Sequence, residues 1–135
     1  MGVRKHYVQR RSDLYRERMT GDVTIYTKYV APSKPGGRGL AVQVIELVDS
    51  YMIWVGGAEG GPEEVGRAME QGRLCRDWAC GVGGTGTRVA GGGDGLAVGM
   101  ACRLGRRLGK VVYVSLDVSG GEVVDAERGV VEVVG

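Results

Sequence analysis

GVGGTGTRVAGGGDGLAVGMACRLGRRLGK, residues 81–110, supports two readings that cannot both hold. Gly81, Gly83 and Gly86 spell GxGxxG, a pattern that lets a backbone approach pyrophosphate where a strand turns into a helix. That chemistry needs the helix to begin near the third glycine, whereas Gly91, Gly92 and Gly93 would break any helix started at Gly86. A P-loop fails too, because Lys110 is followed by Val111 where Ser or Thr is required. Asp117, at the end of an apolar run, resembles a ribose-binding acid but lies well beyond the usual spacing of about 20 residues. The stretch therefore reads as a glycine-rich loop, 81–95, in front of a packed helix.

The helix signal begins at Leu96. Leu96, Met100, Leu104 and Leu108 recur every fourth residue with Ala97 and Ala101 beside them, which makes one apolar face. Asp94 is suited to cap its start and Gly109 to stop it. Arg103, Arg106, Arg107 and Lys110 fall on the other face, close to the negative end of the helix dipole. That face reads first as solvated and second as a contact surface for an anion or a partner.

Working outward, KVVYVSLDV (110–118) is a strand apolar on both faces. So are LAVQVIELVD (40–49) and SYMIWVGG (50–57), two antiparallel neighbours joined at Asp49 and Ser50. Val42, Val44 and Val48 oppose Ile45 and Leu47, while Met52 and Trp54 oppose Tyr51, Ile53 and Val55, so both sides of the sheet need cover. DVTIYTKYV (22–30) is a further strand. APSKPGGRG (31–39) makes a long hairpin-type connection through Pro32, Pro35, Gly36 and Gly37. AEGGPEEVGRAMEQG (58–72) fits a short helix and an irregular loop equally: Pro62, Glu63 and Glu64 favour a first helical turn, and Gly66 weakens its continuation. RLCRDWACGV (73–82) holds one brief strand. The tail, 121–134, fits either a strand or a helix, and Glu122, Asp125 and Glu127 tip it towards a helix.

These elements predict an α+β fold: a single domain with a mostly antiparallel sheet, one long amphipathic helix, and a C-terminal helix packed on one face. At 135 residues, 43% hydrophobic and 25% charged, the chain is large enough to bury a core without disulfides or a structural metal. Its 26 glycines are about twice the average usage and point to loops. No apolar run approaches the roughly 18 residues that cross a bilayer, and the N-terminus is charged where a signal peptide is apolar. Neither secretion nor membrane insertion is expected. MGVRKH lacks the Ser or Thr of a myristoylation signal, having His6 there.

Cys75, Cys80 and Cys102 are odd in number and form no CxxC pair, which points to a reducing compartment: the cytoplasm, and the nucleus beside it. The one histidine, His6, leaves zinc short of ligands and gives no Cys-His or Ser-His pair within the domain. No paired-carboxylate or metal motif stands out either. The expectation is a binding protein rather than an enzyme, without a cofactor.

Charge is uneven. Residues 1–39 carry nine Lys/Arg against three Asp/Glu, and the remainder nine against thirteen. Residues 1–21 read as a flexible basic arm, open to nucleic acid, an acidic protein surface, or solvent alone. Asp13, Glu17 and the scarcity of serine argue against a mitochondrial transit peptide.

In order, the strand ending LVDSYMIWVGG, the glycine-rich loop, GLAVGMACRLGRRLGK, VVYVSLDV and the acidic tail resemble the proteasome assembly chaperone 4 family over residues 22–134. Asp49, Ser50, Trp54, Val55 and Gly56 match its first motif. Gly95, Leu96, Ala97, Arg103, Leu104, Arg107, Gly109 and Lys110 match its helix, and Val112, Val114 and Ser115 the strand after it. The basic arm and the glycine content of 57–93 depart from the family pattern.

The resemblance implies that 22–135 is a proteasome-assembly-chaperone-like domain. It would act as a non-catalytic chaperone that heterodimerises with a chaperone 3 homologue and promotes alpha-ring assembly of the proteasome core particle. Its partners would be that homologue and proteasome alpha subunits, with no membrane. Arg103, Arg106, Arg107 and Lys110 are the candidate partner contacts. The alternative is a nucleic-acid-binding accessory protein using the basic arm and helix, with Tyr7, Tyr15 and Tyr26 available for stacking. A nucleotide-dependent enzyme using the glycine-rich loop is the third reading, and both alternatives rank well below the chaperone.

Overall fold

The computed structural model describes residues 5–11, 14–19, 23–74, 76–91 and 95–134, with side chains from residue 23 onward. Eight strands form one sheet: β1 (Lys5–Arg11), β2 (Leu14–Met19), β3 (Thr24–Val30), β4 (Leu40–Glu46), β5 (Ser50–Gly57), β6 (Asp77–Val82), β7 (Thr85–Gly91) and β8 (Val111–Asp117). Their spatial order is β1-β2-β3-β4-β5-β8-β6-β7. Every pairing is antiparallel except β5 with β8. That exception follows from connectivity, since parallel neighbours need a long crossover. The chain leaves β5, builds the β6–β7 hairpin and a helix, then returns β8 between β5 and β6.

Three helices cover the sheet: α1 (Val65–Gln71), α2 (Leu96–Leu108) and α3 (Val123–Val134). α2 and α3 lie on one face. Ala97, Met100, Ala101 and Leu104 of α2 and Ala126 and Val130 of α3 share one core with Val42, Val44, Ile53, Val55, Val112 and Val114. Met100, Val42, Val112 and Val130 have no exposed surface at all. Each Val or Leu so buried contributes roughly 1.5–3 kcal/mol. α1 lies on the opposite face over a smaller cluster of Ala41, Trp54, Ala58 and Val65.

The α+β class and mostly antiparallel sheet are as the sequence predicts, and α1 settles residues 58–72 as a short helix. The expectation of one long amphipathic helix is corrected: α2 has 13 residues, and the 3-10 turn Gly120–Glu122 running into α3 is longer. Gly109, at φ 65, ends α2 in the left-handed conformation. Within the segment read as a basic arm, β1 pairs with β2 and β2 with β3. Val48 lies in the β4–β5 turn and is 63% exposed, so it belongs to neither sheet face.

The glycine-rich segment is also not the loop that the composition suggests. β6 and β7 form a hairpin whose Val82 and Thr85 pair across Gly83 and Gly84. Those two glycines have φ 57 and 97, the doubly left-handed turn that matches strand twist. Gly81 serves packing instead: a Cβ there would collide with the Ala101 carbonyl of α2. Glycine in this strand lets helix and hairpin approach backbone to backbone, which a compositional count cannot distinguish from looseness.

Candidate functional site: the open face of the sheet

Alternation along β4, β5, β8 and β6 places a second set of side chains on the face away from α2 and α3. Register fixes their neighbours. One row runs Ile45, Met52, Tyr113, Cys80, and the next Gln43, Trp54, Ser115, Trp78. All of these except Cys80, together with Leu74, line an apolar cleft. Met52 is 37% and Leu74 50% exposed, so α1 covers only one end of this face. The expectation that both faces want cover is thus met on one side by helices and on the other only in part.

Trp54 and Ser115, two of the residues singled out in the sequence, are neighbours here. The Trp54 indole Nε1–H donates to the Arg73 carbonyl at 3.2 Å, and the Ser115 hydroxyl donates to the Leu74 carbonyl. The Trp54 ring lies so close over Gly56 and Gly72 that a Cβ at either would strike it. Asp117, one row beyond Ser115, accepts from the Arg73 backbone N–H at 3.1 Å, from Arg73 Nη2 at 2.9 Å and from Arg76 Nη1 at 3.0 Å. These anchors hold Gly72, Arg73 and Leu74 as a strap across the sheet. Burial pushes the Asp117 carboxyl up, but the hydrogen bonds from Arg73 and Arg76 outweigh it and hold the group below its ordinary range. With the Arg73 side chain 67% exposed, the ion pair itself adds at most about 1 kcal/mol. The backbone bonds, not the charges, do most of the fixing. Asp117 therefore serves the strap and not a ribose.

The four helix cations do not form one patch. Arg103 pairs with Glu127 of α3 at 2.7 Å, which raises its pKa against the opposing effect of burial. Arg106 lies against the hairpin turn at Gly84. Lys110 reaches back over the Tyr51 ring, 5.0 Å from its centre. Arg107 is exposed. Tyr51 itself is pushed up to about 12, by burial first and then by its hydrogen bond to Glu46.

Of the other motif residues, Asp49 is exposed in the β4–β5 turn and Ser50 opens β5. Val55, Ala97, Leu104, Val112 and Val114 are core, with Leu96 packed against it. Gly95 precedes α2 with φ 76. Tyr26 packs against the core on the helix-covered face. The stacking roles given to Tyr7 and Tyr15, and the cap assigned to Asp94, lie outside the described side chains.

The cap that is visible comes from elsewhere. Asp77, 5% exposed in β6, accepts the Ala97 backbone N–H at 3.0 Å through Oδ2. A carboxylate already occupies the place where a phosphate would meet the start of α2. Together with the hairpin geometry this removes the structural basis for a nucleotide cradle. Sequence reasoning missed Asp77, Arg73, Arg76, Leu74 and Trp78. Only Trp78 carries a signal, through its place in a strand; the others depend on contacts across 19 or more residues.

Among the described residues no helix is long and apolar enough to cross a membrane. The family model described as proteasome assembly chaperone 4 matches residues 39–118, a span from the start of β4 to the end of β8 that contains the whole open-face cleft. No curated protein matches the chain.

Proposed function

The chain belongs to the proteasome assembly chaperone 4 family, and from that membership we propose that it pairs with a chaperone 3 homologue and promotes alpha-ring assembly of the proteasome core particle. The family supports a role in proteasome assembly as a chaperone, which is not a catalytic one. The observation that carries the pairing is the partly bare sheet face. Met52, Leu74, Trp78 and Tyr113 line an apolar cleft on a sheet whose other side is sealed by α2 and α3. A continuous apolar surface of this kind is what a stable interface buries.

In this reading the homologue covers the open face, and alpha subunits contact the assembled pair. Arg103, Arg106, Arg107 and Lys110 remain candidates for polar contacts, with Arg107 the most available since Arg103 and Lys110 already have partners. The chaperone holds alpha subunits in their correct neighbourhood and leaves by steric competition as later subunits arrive. It works in the cytoplasm and the nucleus.

Affinity purification of the tagged chain from its own cells, with mass spectrometry of the proteins that accompany it, tests the proposal. Alpha subunits together with a second small chaperone are the expected result. Recovery of RNA or unrelated proteins, with no proteasome subunit, overturns it.

A further inference from the structure

Trp54 is the wall between two clefts of different chemistry. On one side lies the apolar cleft already described. On the other is a polar cleft of about 260 Å³, bordered by Arg38, Gln71, Arg73, Arg76 and Asp117. Arg38 is committed elsewhere, to Glu122 (Nη2 to Oε1, 2.9 Å) and to Glu59 (3.2 Å). That leaves Asp117 alone between Arg73 and Arg76. One carboxylate between two guanidiniums leaves the Arg73/Arg76 end of the cleft one positive charge in excess, while the Arg38 end, with Glu59 and Glu122, has one negative charge in excess. Each guanidinium has five N–H donors, and the Arg73 and Arg76 side chains are 67% and 44% exposed, so donors remain open to solvent. The strap that carries Arg73 is fixed by Trp54, Ser115 and Asp117. A cationic fork beside an apolar cleft recognises a carboxylate next to an apolar side chain.

We propose that this double cleft docks an acidic segment of the pairing partner. An apolar side chain of that segment enters between Trp54 and Tyr113, and an Asp or Glu beside it bridges Arg73 and Arg76, sharing them with Asp117. The partner's identity rests on the proposed function; the chemistry of the cleft does not.

The test uses the full-length, nitrogen-15-labelled chain and two peptides: Ac-GLWDELG-NH2 and its uncharged counterpart Ac-GLWNQLG-NH2. The signals followed are the Trp54 indole N–H and the Nε–H of Arg73 and Arg76. The acidic peptide is expected to move all three. The amide peptide binds about tenfold more weakly, the loss expected for one charge-assisted contact. Arg76→Gln removes the difference between the peptides and lowers Tm by no more than the loss of one exposed ion pair to Asp117. Equal binding of both peptides, or no movement of these signals by either, overturns the inference.

A second arm separates this inference from the pairing itself. If the chain binds no chaperone 3 homologue, yet discriminates between the peptides as described, the pairing fails and the cleft assignment stands. If pairing is normal and survives Arg76→Glu unchanged, the cleft assignment fails and the pairing stands.

Discussion

Asp117 and Glu122 tie distant segments together through arginine, and both carboxyls titrate below their ordinary range. For Glu122 the main cause is the hydrogen bond from Arg38. In the unfolded chain these groups return to about 3.9 for Asp and 4.3 for Glu. Their contribution is therefore fully present above those values and is lost as pH falls through the lower folded ones. Tm is expected to hold from neutral pH down to about 5 and to fall below about 4. Asp117→Asn should flatten the acid limb, and a limb of unchanged steepness in that variant would refute the assignment. Trp54 gives a second check at this scale. Trp54→Phe keeps most of the ring but leaves the Arg73 carbonyl without its indole donor, a loss of about 1 kcal/mol in urea unfolding. Equal stability of variant and parent would mean that the strap is held by Ser115 and Asp117 alone.

α2 shows how one element is defined from both within and without. Its apolar face and its stop at Gly109 lie in its own sequence. The cap described at its start comes from outside it, from Asp77 of β6. Asp77→Ala leaves the Ala97 N–H unpaired in a buried place and is expected to cost about 1–2 kcal/mol, read from the urea midpoint at unchanged m-value. Gly81→Ala probes the other side of the same contact by forcing a Cβ onto the Ala101 carbonyl. The expected loss is about 1–3 kcal/mol; a neutral result would show that α2 shifts freely over the hairpin.

The same contrast separates the elements that can be read from the chain from those that cannot. β3, β4, β5, β8 and α2 are legible because period-two and period-four apolar patterns are properties of contiguous residues. The β6–β7 hairpin is not: TGTRVAG has little strand propensity, and its pairing depends on the Gly83–Gly84 turn and on cover from α2. In residues 58–72 Gly66 offsets Pro62, and only the cluster that Val65 shares with Trp54 decides for a helix. At the candidate site, Trp54 and Ser115 are visible as matches to a motif, but their task, holding the Arg73–Leu74 backbone, comes only from the register of β5 against β8.

At the scale of the whole molecule, the asymmetry between the two faces of the sheet is the feature that leads to function. α2 and α3 cover the core on one face, while α1 and the strap leave Met52 and Leu74 partly open on the other. Hydroxyl-radical footprinting of the chain alone and in complex with a chaperone 3 homologue measures whether that face is the one buried. Met52 and Leu74 are expected to be oxidised readily in the free chain and protected in the complex. Val124, 78% exposed on α3, should react alike in both. Met52 and Leu74 as reactive in the complex as in the free chain would contradict the account, since the partner would then be held by some other surface.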